Sequence, residues 1–377
     1  MSYDLDVWSA ARPALPDYLP PGRWSASGSS WTHGAGGWQL AVEEPVPVEE
    51  EDVPAEVDRS LPGLAFLTEI HLEPFDAPEA ARKFAAKVAG AIAKAAHGAV
   101  VDEQAVTVDL PRGVKRFRTE PGASVDLLAM SWWWTGNALA TAEGLGRFVA
   151  LLERYVPEAL PRRYGLYEPP EFKLEEEGIA HLVEFLHEAG SEFVILYPTL
   201  PALGLTLNLQ DKAGHGPYGF AAHHLQVDFD RTALEQPGWE TALKRFWKAA
   251  SRLLDPFYGD VRTLGGYERR GSRLWVPMDA EPHPVDGPFW RGVPRGPVHA
   301  LVVGPPYLAH WPGMVVGGSH GSPFVSTEAW TGEADALDLV GGVPEALADP
   351  RGAGEDGSGS TFRDAGSRGP RVWPFGA

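Results

Sequence analysis

Phe66-Leu67-Thr68-Glu69-Ile70-His71-Leu72, a helical stretch at residues 77–96 and Ala99-Val100-Val101 together decide the fold class of this chain. The first segment carries the period-two alternation of a half-buried strand. In the second, Phe84, Val88 and Ile92 recur every fourth residue and so share one face of a helix. Asp76 is the expected cap, Pro78 occupies the first turn and Gly98 ends the helix. The third segment then reads as a strand. Upstream, residues 3–8 and 38–42 read as strands on either side of a Gly-, Ser- and Trp-rich loop. Residues 43–56 hold seven acidic residues, no basic one and three prolines, the composition of an exposed loop.

Downstream, residues 125–134 read as a strand that ends in Trp132-Trp133-Trp134. A helix over residues 142–160 places Leu145, Phe148, Val149, Leu152 and Tyr155 on one face, and a second helix covers 175–188. Strands follow at 193–197, 203–209 and 218–229. A third helix, 239–254, carries Leu243, Phe246, Trp247 and Leu254 at helical spacing. Asp255-Pro256 stops it, because the residue before a proline leaves the helical region. Strands at 258–263, 298–303 and 314–316 complete the pattern. Strands and helices alternate without a regular βαβ period. The expected fold is α+β, with antiparallel-rich sheets and packed amphipathic helices. It comprises a small module over residues 1–115, a larger one over 116–348 and a flexible tail over 349–377, where Gly, Ser, Asp and Arg dominate. Both modules run strand, helix, strand, a weak internal repetition.

Composition limits the function classes. The chain has 377 residues, 44% of them hydrophobic, and a formal net charge of −19. Phosphate backbones require clustered Lys and Arg, so neither nucleic acid nor an anionic membrane is an expected partner. The same field steers a basic protein inward and also maintains solubility. No Cys is present, which excludes disulfides and thiolate metal sites. The start, Met1 to Asp6, lacks a basic region followed by an apolar one, and no apolar run approaches a membrane span of ~20 residues. The expected compartment is the cytoplasm.

Chemical motifs are sparse. Gly317-Gly318-Ser319-His320-Gly321 fits the G-x-S-x-G elbow of a serine nucleophile, but Ser322-Pro323 follows where a helix is needed. His224, Asp228 and Asp230 share one strand face, a His-plus-carboxylate arrangement with metal-ligand potential, and His215 and His223 lie nearby. The alternative is a half-buried strand with Leu225, Val227 and Phe229 inward. Trp132, Trp133 and Trp134 must project rings from both faces of their strand, onto core, a neighbouring domain or a partner. No phosphate-binding loop, dinucleotide fingerprint or H-E-x-x-H pattern occurs, and no cofactor or metal is implied.

Two aromatic, proline-rich stretches complete the inventory: residues 160–170, around Pro161-Arg162-Arg163-Tyr164-Gly165-Leu166-Tyr167, and Phe289-Trp290-Arg291-Gly292-Val293-Pro294 through Gly304-Pro305-Pro306-Tyr307. Both have the composition of rigid corners. Arg162 and Arg163 are expected to pair internally with Glu168 and Glu171, and Arg291 and Arg295 to pin their loop to acidic neighbours. The helix from Phe148 with the first stretch, and Trp290 to Arg295 with the second, resemble segments of type VI secretion and polymorphic-toxin immunity-like proteins. The likeness covers about residues 120–310. It implies a non-enzymatic inhibitor that occludes the active site of a cognate toxin.

The expectation is therefore a cytoplasmic interaction protein without enzymatic activity, with an acidic rim around aromatic anchors. A basic toxin is the partner that such charge suits. Glu49, Glu50, Glu51 and Asp52, with Trp132, Trp133 and Trp134, are the expected contact residues. The alternatives are a hydrolase or metal-dependent enzyme using Ser319 or the His224 strand, and a structural component of a bacterial secretion or defence system. Oligomeric state is not legible.

Overall fold

The alternating segment at residues 66–72 forms the strand Phe66–Glu73, which lies in the interior of a sheet. The computed structural model describes residues 3–20, 24–28, 30–102, 107–110, 113–116, 123–167, 169–211, 214–216, 219–270, 273–275, 289–305, 307–311, 324–326, 329–332, 335–336 and 342–349. The expected strand at 314–316, the Gly317 to Gly321 motif with Ser319, and the tail beyond Asp349 lie outside the described residues. The chain divides into two units, Met1–Pro121 and Gly122–Ala377. The boundary falls slightly beyond the expected end at 115. Both units are built on antiparallel sheets with packed helices, an α+β fold.

The first unit contains β1 (Tyr3–Ser9), β2 (Ser25–Ser27), β3 (Ser30–Ala35), β4 (Trp38–Glu43), β5 (Val46–Pro47), β6 (Phe66–Glu73), β7 (Gly98–Asp102), β8 (Thr107–Leu110) and β9 (Gly113–Arg116). They form one sheet in the order β2-β3-β4-β6-β1-β7-β8-β9, with β5 beside β6. Helices α1 (Leu15–Tyr18), α2 (Ala55–Asp58) and α3 (Glu79–Ala95) accompany it. The apolar stripe of α3, with Ala81, Ala85, Val88, Ala89 and Ile92, closes on Leu5, Val7, Leu40, Val42, Ile70 and Leu72 of the sheet. Alanines at the contact let the helix axis approach closely. On the opposite face Trp8, Leu67, Ala99, Val101 and Val108 gather under Val53 and Val57.

Four details differ from the expectation. The supposed loop at residues 9–37 contains β2 and β3. Gly36 and Gly37, at φ 59° and 87°, form the two-residue turn into β4, because both positions need the left-handed region. Helix α3 begins at Glu79 behind Pro78, with no side-chain cap; Asp76 lies in the preceding turn, where the Ala77 N–H meets the Pro74 carbonyl at 2.9 Å. Ala77 precedes a proline and is held out of helical geometry. The left-handed residue after α3 is His97, at φ 55°, and Gly98 is already the first residue of β7. Gly98 is glycine because a Cβ there would fall on the Trp8 carbonyl oxygen of the adjacent strand. Finally, residues 43–56 are folded rather than looped out. They contain β5, a 3-10 turn at Glu50–Asp52 and α2, with Val53 and Val57 buried.

The second unit contains β10 (Ala123–Trp134), α4 (Ala142–Tyr155), β11 (Arg163–Gly165), β12 (Phe172–Lys173), α5 (Leu174–Ala189), β13 (Ile195–Tyr197), β14 (Ala202–Asn208), β15 (Gly214–Gly216), β16 (Gly219–Ala221), β17 (His223–Asp230), α6 (Trp239–Leu254), β18 (Tyr258–Arg270), β19 (Arg273–Trp275), β20 (Phe289–Trp290), β21 (Pro297–Val298), β22 (Ala300–Val303), β23 (Phe324–Ser326) and β24 (Asp335–Ala336). Its main sheet runs β14-β17-β10-β18-β22-β23, with β19 on β18. One face meets the helices. Leu128, Met130, Trp132 and Trp134 of β10 and Leu225, Val227 and Phe229 of β17 pack with Phe148 and Leu152 of α4 and Leu243, Phe246 and Trp247 of α6. β11, β12 and β13 form a separate three-stranded sheet. Helix α6 occupies the bounds read from its periodicity, and Asp255 ends it at φ 48°.

The Gly98 geometry yields a paired test. Gly98→Ala must shift backbone and is expected to cost about 1–3 kcal/mol. His97→Gly relieves a left-handed residue and leaves the midpoint unchanged or raises it. Chemical unfolding of both variants checks the assignment, which fails if Gly98→Ala unfolds like the parent protein.

Candidate interaction surface

The first aromatic stretch is a fixed corner. Tyr164 on β11 is fully buried against Phe172, Phe185 and His181, with ring centroids 5.6, 5.3 and 5.9 Å away. Its hydroxyl lies 2.7 Å from His181 Nδ1. Burial, aided by the nearby Glu177 carboxylate, pushes the phenol up to about 12. Arg163 is buried and its Nη2 donates to the Pro170 carbonyl at 2.8 Å, closing the turn. The Glu171 carboxylate accepts from the Leu166 N–H at 3.2 Å and occupies the space beside Gly165 that a Cβ would need. Arg162 completes the anchoring through its backbone, with its N–H on the Tyr197 carbonyl at 2.8 Å.

Tyr167 projects from this corner, 72% exposed, and Phe193, just before β13, is 67% exposed. No other large apolar side chain among the described residues is as open. Tyr167 lies two residues beyond β11 and Phe193 two residues before β13, so both flank the same end of that strand pair. Exposed Glu171, Glu188 and Glu192 stand near them in the chain. Two exposed aromatics on a rigid base, in acidic surroundings, have the composition of an interface hot spot.

The expected aromatic anchors are elsewhere. Trp132, Trp133 and Trp134 are each 0% exposed, so they form no surface patch. Trp132 stacks on Trp247 at 4.6 Å and donates its indole N–H to Ser251 Oγ at 2.8 Å. Trp133 turns to the other face, against His224 at 4.7 Å and Trp290 at 5.4 Å. Trp134 stacks on His223 at 5.3 Å. The acidic quartet is also partly spent on folding. Asp52 is 5% exposed, and its carboxylate accepts from the Glu49 N–H at 2.9 Å in a reciprocal capping box. Glu50 is exposed and Glu49 half-buried, whereas the Glu51 side chain lies outside the described residues.

Among the described residues the His224 strand gathers no metal centre, and the His215 side chain lies outside them. His224 and Asp228 are buried on one face of β17, as the alternation required, but four residues of strand separate them by about 13 Å. Both Asp228 oxygens accept from Gln226 Nε2 at 3.0 Å. Asp230 caps the next turn, accepting from the Thr232 N–H at 2.9 Å. His223 accepts from the Gln210 N–H at 3.1 Å, and burial lowers its pKa, so it sits neutral. Among the described residues no group of three His, Cys, Asp or Glu side chains is placed to hold a metal ion. No described helix is long and apolar enough to cross a membrane.

One buried charged cluster escaped the sequence reading. Tyr258, Asp260 and Arg262 alternate on β18 and so share a face. Arg262 Nε and the Tyr258 hydroxyl both donate to Asp260 Oδ2, at 2.6 and 2.7 Å. The guanidinium also donates to the carbonyls of Arg295 and Pro294, at 3.2 and 3.4 Å. Burial and the Asp260 charge raise Tyr258 well above its ordinary value; for Arg262, burial opposes the charge but the nearby Asp260 and Tyr258 outweigh it and raise it. The second aromatic stretch is thus held from beneath by Arg262, through the Pro294 and Arg295 carbonyls. The signal was the Tyr-x-Asp-x-Arg spacing on a strand.

Compared with protein-family models, curated proteins and solved structures, the chain matches none.

Two stability predictions separate core from surface. Trp132→Ala is expected to cost about 3–5 kcal/mol, whereas Tyr167→Ala stays within about 0.5 kcal/mol. Denaturant unfolding measures both, and equal losses would contradict the placement of Tyr167. Asp260→Ala leaves the Arg262 charge buried without its carboxylate and is expected to cost about 3–5 kcal/mol. An unfolding midpoint equal to the parent's would remove the ion pair from the core.

Proposed function

We propose that this is a cytoplasmic, non-enzymatic interaction protein, an immunity-like inhibitor that binds a basic toxin and occludes its active site. The observation that supports this reading is the Tyr167–Phe193 end of the small sheet: two open aromatics on a corner otherwise locked by buried contacts. Exposed aromatics lose little conformational freedom on binding, so a rigid base converts their burial into affinity. Glu171, Glu188 and Glu192 and the net charge of −19 favour a partner with a basic rim around an apolar pocket. Tyr167 also belongs to the stretch that resembles immunity-like proteins. The chemistry-bearing side chains of β17 and β18 serve packing and hydrogen bonding within the fold, which is what a binder of this kind needs.

The products of the genes flanking this one supply the test. Each is expressed and titrated against the protein by calorimetry, and any toxic product is assayed for activity with and without it. One basic product is expected to bind and to lose activity. Tyr167→Ala and Phe193→Ala should each weaken that complex by about thirtyfold, the scale of a hot-spot residue near 2 kcal/mol. Absence of binding to every flanking product, or binding indifferent to both substitutions, refutes the reading.

A further inference from the structure

Helices α4 and α6 pack against each other on one face of the main sheet, with Phe148 and Leu152 of one and Leu243 and Phe246 of the other in a common core. Their opposite sides therefore turn away from the sheet together. That outer side is basic, in a chain of net charge −19. The two helices carry six Lys and Arg against Glu143, Glu153 and Glu240. Arg147 and Arg154 stand seven residues apart on α4, and so do Arg245 and Arg252 on α6, with Lys248 between them. Seven residues are close to two turns, so each set shares one helical face. All five side chains are exposed.

The sixth cation, Lys244, shows what an internal role looks like here. It is half-buried, pairs with Glu240 and lies over the Trp330 ring at 5.5 Å. Among the described residues no carboxylate forms an ion pair with any of the other five, although Glu143 stands one turn before Arg147. The helix dipole favours cations in a last turn, which accounts for Arg154 and Arg252 but not for Arg147, Arg245 or Lys248 further upstream. Arg245 and Lys248, three residues apart, and Lys248 and Arg252, four apart, are like-charge neighbours that weaken an isolated helix. The free fold gains nothing from this arrangement, and a partner of opposite charge relieves it.

The size of the face selects the partner. Along each helix the cations span about 10 Å, and packed helix axes lie about 8–10 Å apart. A long polyanion would run past this patch into the negative field of the rest of the chain. A short acidic helix, with carboxylates one and two turns apart, meets the patch and little else. Leu151 and Leu253, both partly buried against the common core, offer it apolar contact.

We propose that the outer face of α4 and α6 docks an acidic helical segment of a partner protein, with Arg147, Arg154, Arg245, Lys248 and Arg252 pairing its carboxylates. The proposal uses none of the residues of the Tyr167–Phe193 end and stands apart from the toxin reading.

The test uses the full-length protein and a fluorescein-labelled, capped peptide of two Glu-Ala-Ala-Leu-Glu-Ala-Ala repeats, whose carboxylates gather on one helical face. Anisotropy titration at low ionic strength is expected to saturate and to weaken as salt is added. Lys248→Glu should weaken binding at least about tenfold and Arg147→Gln about threefold, because exposed pairs are individually modest. Lys248→Glu should also unfold no earlier than the parent protein, since it replaces two like-charge neighbours by opposite ones. Lys87→Gln, an exposed position on α3, should bind like the parent. No saturable binding, equal affinity for the peptide with Gln in place of Glu, an equal loss in Lys87→Gln, or a lowered midpoint in Lys248→Glu overturns the proposal. Tighter binding of a DNA duplex of about 20 base pairs than of the peptide, at physiological salt, also overturns it and assigns the face to nucleic acid.

Discussion

Strand β10 is the constraint on which the second unit depends. It places Trp132 and Trp134 on the helix side and Trp133 on the other, all three without solvent exposure. Three consecutive indoles cannot be hidden by one layer, because neighbouring residues on a strand point to opposite faces. Both faces must therefore be covered, by α4 and α6 on one side and by Trp290, Tyr307 and Leu347 with their segments on the other. Gly259 follows from the same demand: a side chain there would press against the Trp132 ring and the Ser131 carbonyl. The proline-rich stretch after Trp290 is thus part of the wall that keeps Trp133 dry.

That wall explains why polar groups lie so deep. A second face covered by irregular segments leaves backbone carbonyls in the interior, and buried carbonyls require donors. Arg262 supplies them to Pro294 and Arg295, and Asp260, which also accepts from the Tyr258 hydroxyl, compensates its charge. Buried ionic groups of this kind often accompany catalysis. Here the guanidinium is directed at Asp260, at the Tyr258 hydroxyl and at the loop it fastens, so the strong perturbation has a structural cause.

Much of the fold was legible because its elements carry strong local periodicity. Helix α6 and strands β6 and β10 lie close to where their apolar spacing places them. The β2–β3 region was obscured because its short strands are rich in Gly and Ser; the Gly36-Gly37 turn was the available signal. Gly98 was misplaced by one role: a glycine after a helix suggests a left-handed cap, but a close strand crossing requires glycine just as strictly. The candidate surface was only half legible. Tyr167 stood in a quoted stretch, yet nothing in the local pattern distinguishes a projecting aromatic from a buried one such as Tyr164, three residues earlier. Exposure there depends on the pairing of β11 with β13, a long-range contact.

The same logic separates abundance of tryptophan from binding. A chain with 14 Trp invites a search for aromatic binding faces. However, Trp132, Trp133, Trp134, Trp247, Trp290, Trp311 and Trp330 are among the most deeply buried large side chains. Each contributes apolar area that an extended, loop-covered sheet needs on both sides. The two most exposed large apolar side chains among the described residues, Tyr167 and Phe193, flank the small three-stranded sheet, whose Tyr164 core already packs against α5. Their exposure lowers no internal packing deficit, so the fold gives no reason for aromatics at those two positions. A large apolar side chain held open on a rigid corner costs solvation in the free protein, and burial against a partner is the event that recovers it.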